Sequence, residues 1–465
     1  MEILCKELID TYNTNVLDKS DKDIRDAFMK VSTEFRDSGD GKSVLMNLIY
    51  NHFSPDVQKP QPLYIGGPKN LTVHWSETHK KIIYIFGEHH SATVDCFRFG
   101  NHTRQMEWDV PGAKIMSIEY FLKELSRTTD SFIDFLFEIP ATEIKSKGYH
   151  EDFDPYAGEY KKFRLSKLFD NFKGCINYPT RSEKECRLSR VHYFDARYND
   201  KGSAAQGSNI LSAFKLEIQN IRKYVEKDAQ AIAVKKLLKD KPGLLTIFEY
   251  LSNSDDNIVL QFLISQSTEN AYSNKELGRF KEDNSIRLLI NEFIEEENKT
   301  LMSTYKLLWK THSKAILNFI KPSDKDSQTI EDFEKSFTYI YDSLTGVNAI
   351  ISDVYLLSRL FKNFDLSKME EKAYTGATDQ PATTTNVIIY TGDLHADRYR
   401  LFLKNKLGFK QIAATGNPTD GNIHCIDMAN IPQPFFESWP PIEKISAPVP
   451  VQAPGFISYL LGKKQ

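Results

Sequence analysis

Cysteine is scarce in this sequence: five residues, at 5, 96, 175, 186 and 425, among 465. Scattered and odd in number, they argue against a disulfide framework and fit a reducing compartment. Long apolar runs are missing too. Nothing approaches the ~18–20 residues that cross a bilayer, so no membrane span is expected. The opening MEILCKELIDTYNTN lacks a basic region, an apolar stretch and a small-residue cleavage site, and the closing GKKQ is no lipidation or retention signal. Charge of one sign is also lacking. Lys and Arg number 60 against 63 Asp and Glu, a formal net charge of −3, without the basic excess of nucleic-acid binders. Together these absences predict a cytoplasmic or intracellular protein with no nucleic-acid partner. Proline, finally, almost vanishes from the middle of the chain. Between 180 and 380 only Pro242 and Pro322 occur, so little there interrupts helices.

What is present suffices for a core, with 40% hydrophobic and 12% aromatic residues. Apolar residues at helical spacing, Leu4, Leu8 and Ile9, then Ile24, Phe28 and Val31, predict a helical segment over 1–58. Within it Ser38-Gly39-Asp40-Gly41-Lys42-Ser43 is a turn rather than a phosphate loop, because Arg36 stands where the first glycine belongs. From residue 59 the period changes. Leu71–Trp75 and Lys81–Phe86 read as a hairpin, Gly112–Arg127 as a helix, and Phe132–Ile139, Val191–Phe194 and Val387–Tyr390 as further strands. The long intervals between them suit a largely parallel sheet.

The expected class is α/β: a mostly parallel central sheet with a large all-helical insertion and an extended Pro-rich C-terminal tail. Its parts are a first core portion at 59–204, the insertion at 205–372, a second core portion at 373–430 and the tail at 431–465. The insertion shows one stripe at Ile210, Phe214, Ile218, Ile221 and Val225, a long helix from Ser285 to about Phe319, and more helix between Thr329 and Lys362. Its acidic run Glu295-Glu296-Glu297 reads as a solvated helix face. The tail holds seven of the nineteen prolines and can wrap its own domain or dock on a partner.

The chemistry gathers at strand ends. KIIYIF runs into Gly87-Glu88-His89-His90, FIDFLFEIP ends around Glu138, VHYF runs into Asp195-Ala196-Arg197, and VIIYT into Gly392-Asp393-Leu394-His395. Ligands of open α/β sheets bind outside the carboxyl ends of the strands, so adjacent parallel strands would bring these sets to one cleft. His90, Glu138 and His395 are the mixed nitrogen and oxygen donors a divalent metal takes. Without metal, a His or Glu would activate water and Arg197 would stabilise an oxyanion. Glu88 and Asp393 are expected to orient the imidazoles. His74, His79, His102, His150 and His192 have no ligand spacing and read as surface or satisfied residues. His192, within its strand, points to a sheet face. The acidic, aromatic stretch Tyr149–Tyr160 reads as a surface loop.

The pair of G-x-x-H motifs with an intervening Glu and Arg resembles the superfamily of the erythromycin esterases, the ChaN-like proteins and the TraB/TIKI proteins. Gly87–His90 is similar to the G-E-x-H form of the ChaN-like branch, and Gly392–His395 to the clan's second motif. The resemblance implies paired active-site histidines, His90 and His395, with Glu138 as acidic partner and Arg197 as the family arginine. YTGDLHADRYRLFL also resembles uncharacterised proteins of large DNA viruses. Two functions from different classes follow. One is a hydrolase of ester or amide bonds, with or without a metal, acting on a small-molecule or peptide substrate through Glu88, His90, Glu138, Arg197, Asp393 and His395. The other is a non-catalytic structural or interaction protein, such as a virion component, meeting a protein partner through the tail or the helical insertion. Haem, though His and Tyr axial ligands suit it, is not expected.

Overall fold

A computed structural model of the chain describes residues 59–89, 96, 114–129, 131–140, 164–172, 188–196, 204–253, 275–320, 329–364, 381–416 and 424–436. The first 58 residues, the first half of the loop at 376–385 and the tail beyond 436 thus lie outside the described residues. Four apolar segments form the heart of the sheet: β3 (Lys81–Glu88), β5 (Ile133–Pro140), β6 (Ser189–Asp195) and β7 (Asn386–Gly392). Near-continuous apolar sequence is what a parallel strand covered on both faces requires, and these four run parallel to one another. β2 (Asn70–Ser76) pairs antiparallel with β3 through the expected hairpin, and β8 (Lys410–Gly416) pairs antiparallel with β2. The six strands lie in the order β6-β5-β7-β3-β2-β8. β7 thus enters between two strands made long before it.

Alternation along the strands splits the core in two. Ile83, Ile85, Leu136, Phe194, Val387 and Ile389 face a helical layer, while Tyr84, Phe86, Phe135, Phe137, Ile388 and Tyr390 face the other side. The helical layer comes mostly from the segment between β6 and β7: α3 (Ala204–Tyr224), α4 (Lys227–Lys239), α5 (Pro242–Asn253), α6 (Ser285–Ile320) and α7 (Ile330–Leu360). Its Phe214, Val234, Phe248, Ile316, Phe337, Leu356 and Leu357 belong to the same apolar cluster as that sheet face. The last third of the expected helical region, 329–362, forms the single helix α7. α8 (Asp393–Asn405) follows β7 directly and joins this layer through Ala396, Tyr399, Phe402 and Leu403.

The opposite face is covered by α1 (Ile118–Thr128), α2 (Arg164–Phe172) and the start of the proline-rich tail. Phe435 stacks on Tyr84 at 4.0 Å between ring centroids, and Phe436 meets the same ring edge-on. The beginning of the tail therefore wraps its own core. The helix expected over Gly112–Arg127 is corrected. Residues Ile115–Ser117 form a short strand, β4, because Ile115 pairs with Tyr64 of β1 (Tyr64–Gly66), and Ser117 caps α1 by accepting from Tyr120 N. β4, β1 and β9 (Cys425–Asp427) make a second, three-stranded sheet.

Candidate functional site

The carboxyl ends of β3, β5, β6 and β7 lie side by side, and β7 brings its polar sequence between β3 and β5. Two of the expected residues meet there. Glu138, at the end of β5, reaches β7, where its Oε2 accepts from Thr391 Oγ1 at 2.9 Å and from the Gly392 N–H at 2.6 Å. Its Oε1 lies 3.3 Å from Nε2 of His395, in the first turn of α8. Gly392 ends the strand and caps the helix, so Glu138 accepts from an N–H at the helix N-terminus.

The other face of the imidazole shows what the sequence reading missed. Nδ1 of His395 lies 2.5 Å from Oδ1 of Asp353, a fully buried carboxylate on α7. The second oxygen of Asp353 accepts from Arg398 Nη1 at 2.8 Å, and Arg398 Nε lies 3.2 Å from Glu297 of α6. His395 is thus held between two carboxylates, one from the sheet and one from the helical layer. Burial pulls its pKa down, but Asp353 and Glu138 outweigh that and hold it up at about 9. Burial also works against the charged form of Asp353, and His395 and Arg398 reverse it, leaving the carboxyl below its ordinary value. The Tyr399 phenol beside them is pushed well above its ordinary value by burial and then by Asp353. At neutral pH the centre of the cluster is an imidazolium and a guanidinium on the ionised Asp353.

Signals for these partners exist in hindsight. Asp353 interrupts the apolar run Ala349–Leu357, where an unpaired acid would be costly to bury. Arg398 stands three residues after His395, on the same side of α8. Beside Asp353, Ser352 donates to Asp195 Oδ1 at 3.0 Å, so one helix turn of α7 serves two strand ends.

Among the described residues Glu88 and Asp393 take partners other than His395. Glu88 follows Tyr84 and Phe86 on the far face of β3, where its Oε2 accepts from the hydroxyl of buried Tyr390. Asp393 Oδ1 accepts from Asn70 Nδ2 at 2.7 Å and lies 3.6 Å from Arg400 Nη1. The partner that orients His395 is Asp353. The two glycine motifs nonetheless touch. A Cβ on Gly87 would stand 2.3 Å from Asp393 Oδ1 and 2.7 Å from Asn70 Oδ1, so only glycine admits this pair against β3. His90 and Arg197 lie outside the described residues.

Among the described residues no group of three or more His, Cys, Asp or Glu side chains is arranged to hold a metal ion. The Nε2 and Oε1 pair of His395 and Glu138 offers two donors 3.3 Å apart. That is near the ~3.4 Å between two ligands about 2.1 Å from a tetrahedral ion. Nδ1 is already directed to a carboxylate, as metal-bound imidazoles require. The expected ligands Glu138 and His395 thus stand side by side, but Nε2 of His395 carries a proton at neutral pH and would have to lose it before it could coordinate an ion. A bound ion would supply Lewis acidity to a substrate oxygen or water.

His192 behaves as read from its strand. Its Nε2 lies 3.0 Å from Asp134 Oδ1, and Arg190 grips the same carboxylate at 2.6 and 3.1 Å, at the opposite ends of the strands. His74 is corrected in part. It is buried in β2 with Nε2 3.0 Å from Thr72 Oγ1, but its Nδ1 has no hydrogen-bond partner. His79 is half-buried and stacks on Phe409 at 5.5 Å between centroids. His102, His150 and Tyr149–Tyr160 lie outside the described residues. No disulfide framework is expected from the sequence; among the described residues one pair, Cys96 and Cys425, is joined. Among the described residues no helix is long and apolar enough to cross a membrane.

No family model matches the chain, and no solved structure matches it. It is similar to an uncharacterised protein of Acanthamoeba polyphaga mimivirus, 21% identical over 388 residues that cover 76% of this chain and 87% of that protein. The likeness to proteins of large DNA viruses, expected from the residues around His395, is thereby found over most of the sequence.

Proposed function

We propose that the cluster around His395 is the acid–base centre of a hydrolase acting on an ester or amide bond. The observation that carries the reading is the imidazole held between Asp353 and Glu138 at the carboxyl ends of parallel strands. In this scheme Glu138 Oε1 takes a proton from water as its oxygen attacks the carbonyl carbon. The imidazolium of His395 gives its Nε2 proton to the departing oxygen or nitrogen as the scissile bond breaks. The proton on Glu138 then returns to Nε2 across the 3.3 Å between them, and the site is reset. Asp353 stays ionised, since Arg398 stabilises its charge, and holds the ring by Nδ1–H. Of the residues the resemblance to the erythromycin esterase, ChaN-like and TraB/TIKI clan implies, the scheme uses His395 and Glu138. His90 and Arg197 are given no step.

A second reading is favoured by burial, since His395 and Glu138 are each only 4% exposed. In it the same ions lock the helical layer onto the sheet of a non-catalytic protein, such as a virion component. Purified protein assayed with and without chelator on a panel of esters and peptides separates the two. Hydrolysis abolished in both His395→Ala and Glu138→Gln, with Asp353→Asn impaired, supports the hydrolase. A panel without turnover, or turnover that survives both substitutions, overturns it.

A further inference from the structure

We infer that Glu297 is a positioning residue for the His395 centre: set against the guanidinium of Arg398, it aims that group at Asp353 and so fixes how Asp353 presents its carboxylate to the imidazole. The inference rests on the reading of His395 as the acid–base centre, and its first test needs no substrate.

The geometry is that of a seam between two helices. Arg398, Phe402 and Lys406 stand four residues apart, so they share one face at α8. α6 meets that face in descending order. Glu297 Oε2 lies 3.2 Å from Arg398 Nε, and the Phe293 and Phe402 rings meet edge-on at 5.5 Å between centroids. Lys406 Nζ then donates to Glu292 Oε1 at 2.7 Å and to Glu296 Oε1 at 2.8 Å. The helices thus run antiparallel here, with ion pairs at both ends and an aromatic pair between them. The acidic run Glu295-Glu296-Glu297, expected to be solvated, is so only in part. Glu295 and Glu296 are exposed, whereas the Glu297 side chain is 27% exposed and faces Arg398.

The two ends of the seam differ in what they can transmit. The acids that meet Lys406 are exposed, and solvent and salt weaken such pairs. Arg398 is buried, and each of its three nitrogens has a partner. Nε meets Glu297, Nη1 donates to Asp353 Oδ2 at 2.8 Å, and Nη2 donates to the Gly346 carbonyl at 3.3 Å. A guanidinium is a rigid planar fork, so partners at Nε and Nη2 set the direction of Nη1. Asp353 and Gly346 both belong to α7, and Glu297 is the partner from a second helix. Without it Arg398 keeps its charge but loses one of the points that define its plane. Asp353 then accepts from a donor less well aimed. The other oxygen of the same carboxylate makes the 2.5 Å contact with His395 Nδ1, so the disturbance reaches the ring through one residue. What Glu297 supplies in this role is an acceptor in the right place, which a neutral amide oxygen also provides.

The full chain, labelled with 15N-histidine, is followed by NMR at neutral pH. The His395 Nδ1–H resonance is assigned by its loss in His395→Gln, and its short bond to a carboxylate places it far downfield. In Glu297→Ala it is expected to move upfield and to exchange faster with water. In Glu297→Gln, whose amide oxygen still accepts from Nε, it should stay near its wild-type position. Lys406→Ala, which opens the far end of the seam, should leave it in place. If Glu297→Ala does not fold, Glu297→Asp, which withdraws the carboxylate by one methylene, is read in the same way. An unmoved resonance overturns the inference, as does an equal displacement in Lys406→Ala or in Glu297→Gln. On a hydrolysed substrate, kcat in Glu297→Ala should fall about ten- to hundredfold with KM little changed, the effect of a displaced catalytic group, and Glu297→Gln should recover most of it. Absence of turnover in the wild type counts against the hydrolase alone, and a displaced resonance still supports the role of Glu297.

Discussion

At the scale of single residues, the fate of His395 is set by two carboxylates. Its pKa of about 9 lies above the ordinary 6.5, so its protonation stabilises the folded state. That contribution is full below about pH 6.5 and is lost as pH rises through about 9. Asp353 works in the other direction: its depressed pKa contributes above the ordinary carboxyl value and is lost as pH falls through the folded one. His192, lowered to about 4 chiefly by burial, also costs stability as pH falls below about 6.5. Urea midpoints should therefore fall on both sides of neutrality, and His395→Gln should remove much of the alkaline fall. In Asp353→Asn the His395 ring, followed by NMR, should titrate well below about 9, since one of the two charges that raise it is gone. Asp353→Ala should cost about 3–5 kcal/mol by urea unfolding, the range for breaking a buried ion pair. If the hydrolase reading holds, kcat/KM should decline as pH rises through about 9, because the leaving group then lacks its proton donor. At Gly87 an alanine meets Asp393 and Asn70 at contact distances no Cβ tolerates, for about 1–3 kcal/mol. Asp393→Ala in the same chain should recover part of that loss, a non-additivity a double-mutant cycle reads directly.

At the scale of elements, strands were the most legible part of the sequence. Ile82–Phe86, Phe135–Phe137 and Val387–Tyr390 are apolar runs and Val191–Phe194 nearly one, and parallel strands buried on both sides look like that. The long helices between Ile210 and Leu360 were legible for the complementary reason, period and lack of proline. The start of α1 was not, because Ile115 and Met116 suit either a helix or a strand and only pairing with β1 decides. Within the site, Glu138 and His395 could be found because each stands at or just past the end of an apolar strand. Asp353 could not be assigned a partner, because its contact with His395 depends on how α7 docks on α8, across 42 residues of sequence. Where the start of the tail packs was not legible either. Phe435 fills the space over Tyr84, Phe86 and Phe121. Phe435→Ala should therefore lower stability by about 3–5 kcal/mol in urea unfolding, as for other buried aromatics.

At the scale of the whole molecule, the helical layer and the sheet form one core rather than two. Leu356 and Leu357 of α7, Phe214 of α3 and Ile389 of β7 belong to a single apolar cluster. A fragment of residues 205–372 should lose its cover, bind hydrophobic dye and lack a sharp thermal transition, whereas the intact chain should unfold its sheet and helices together. The position of β7 has a consequence in time. β6 is complete at Asp195, but the strand that fills the gap between β5 and β3 begins only at Asn386. At about 5–20 residues per second, a ribosome takes on the order of 10–40 s to supply it. During that interval the nascent chain carries two unsatisfied inner strand edges, each a template for a wrong neighbour. Synthesis, more than the finished protein, is where this fold is most exposed to aggregation.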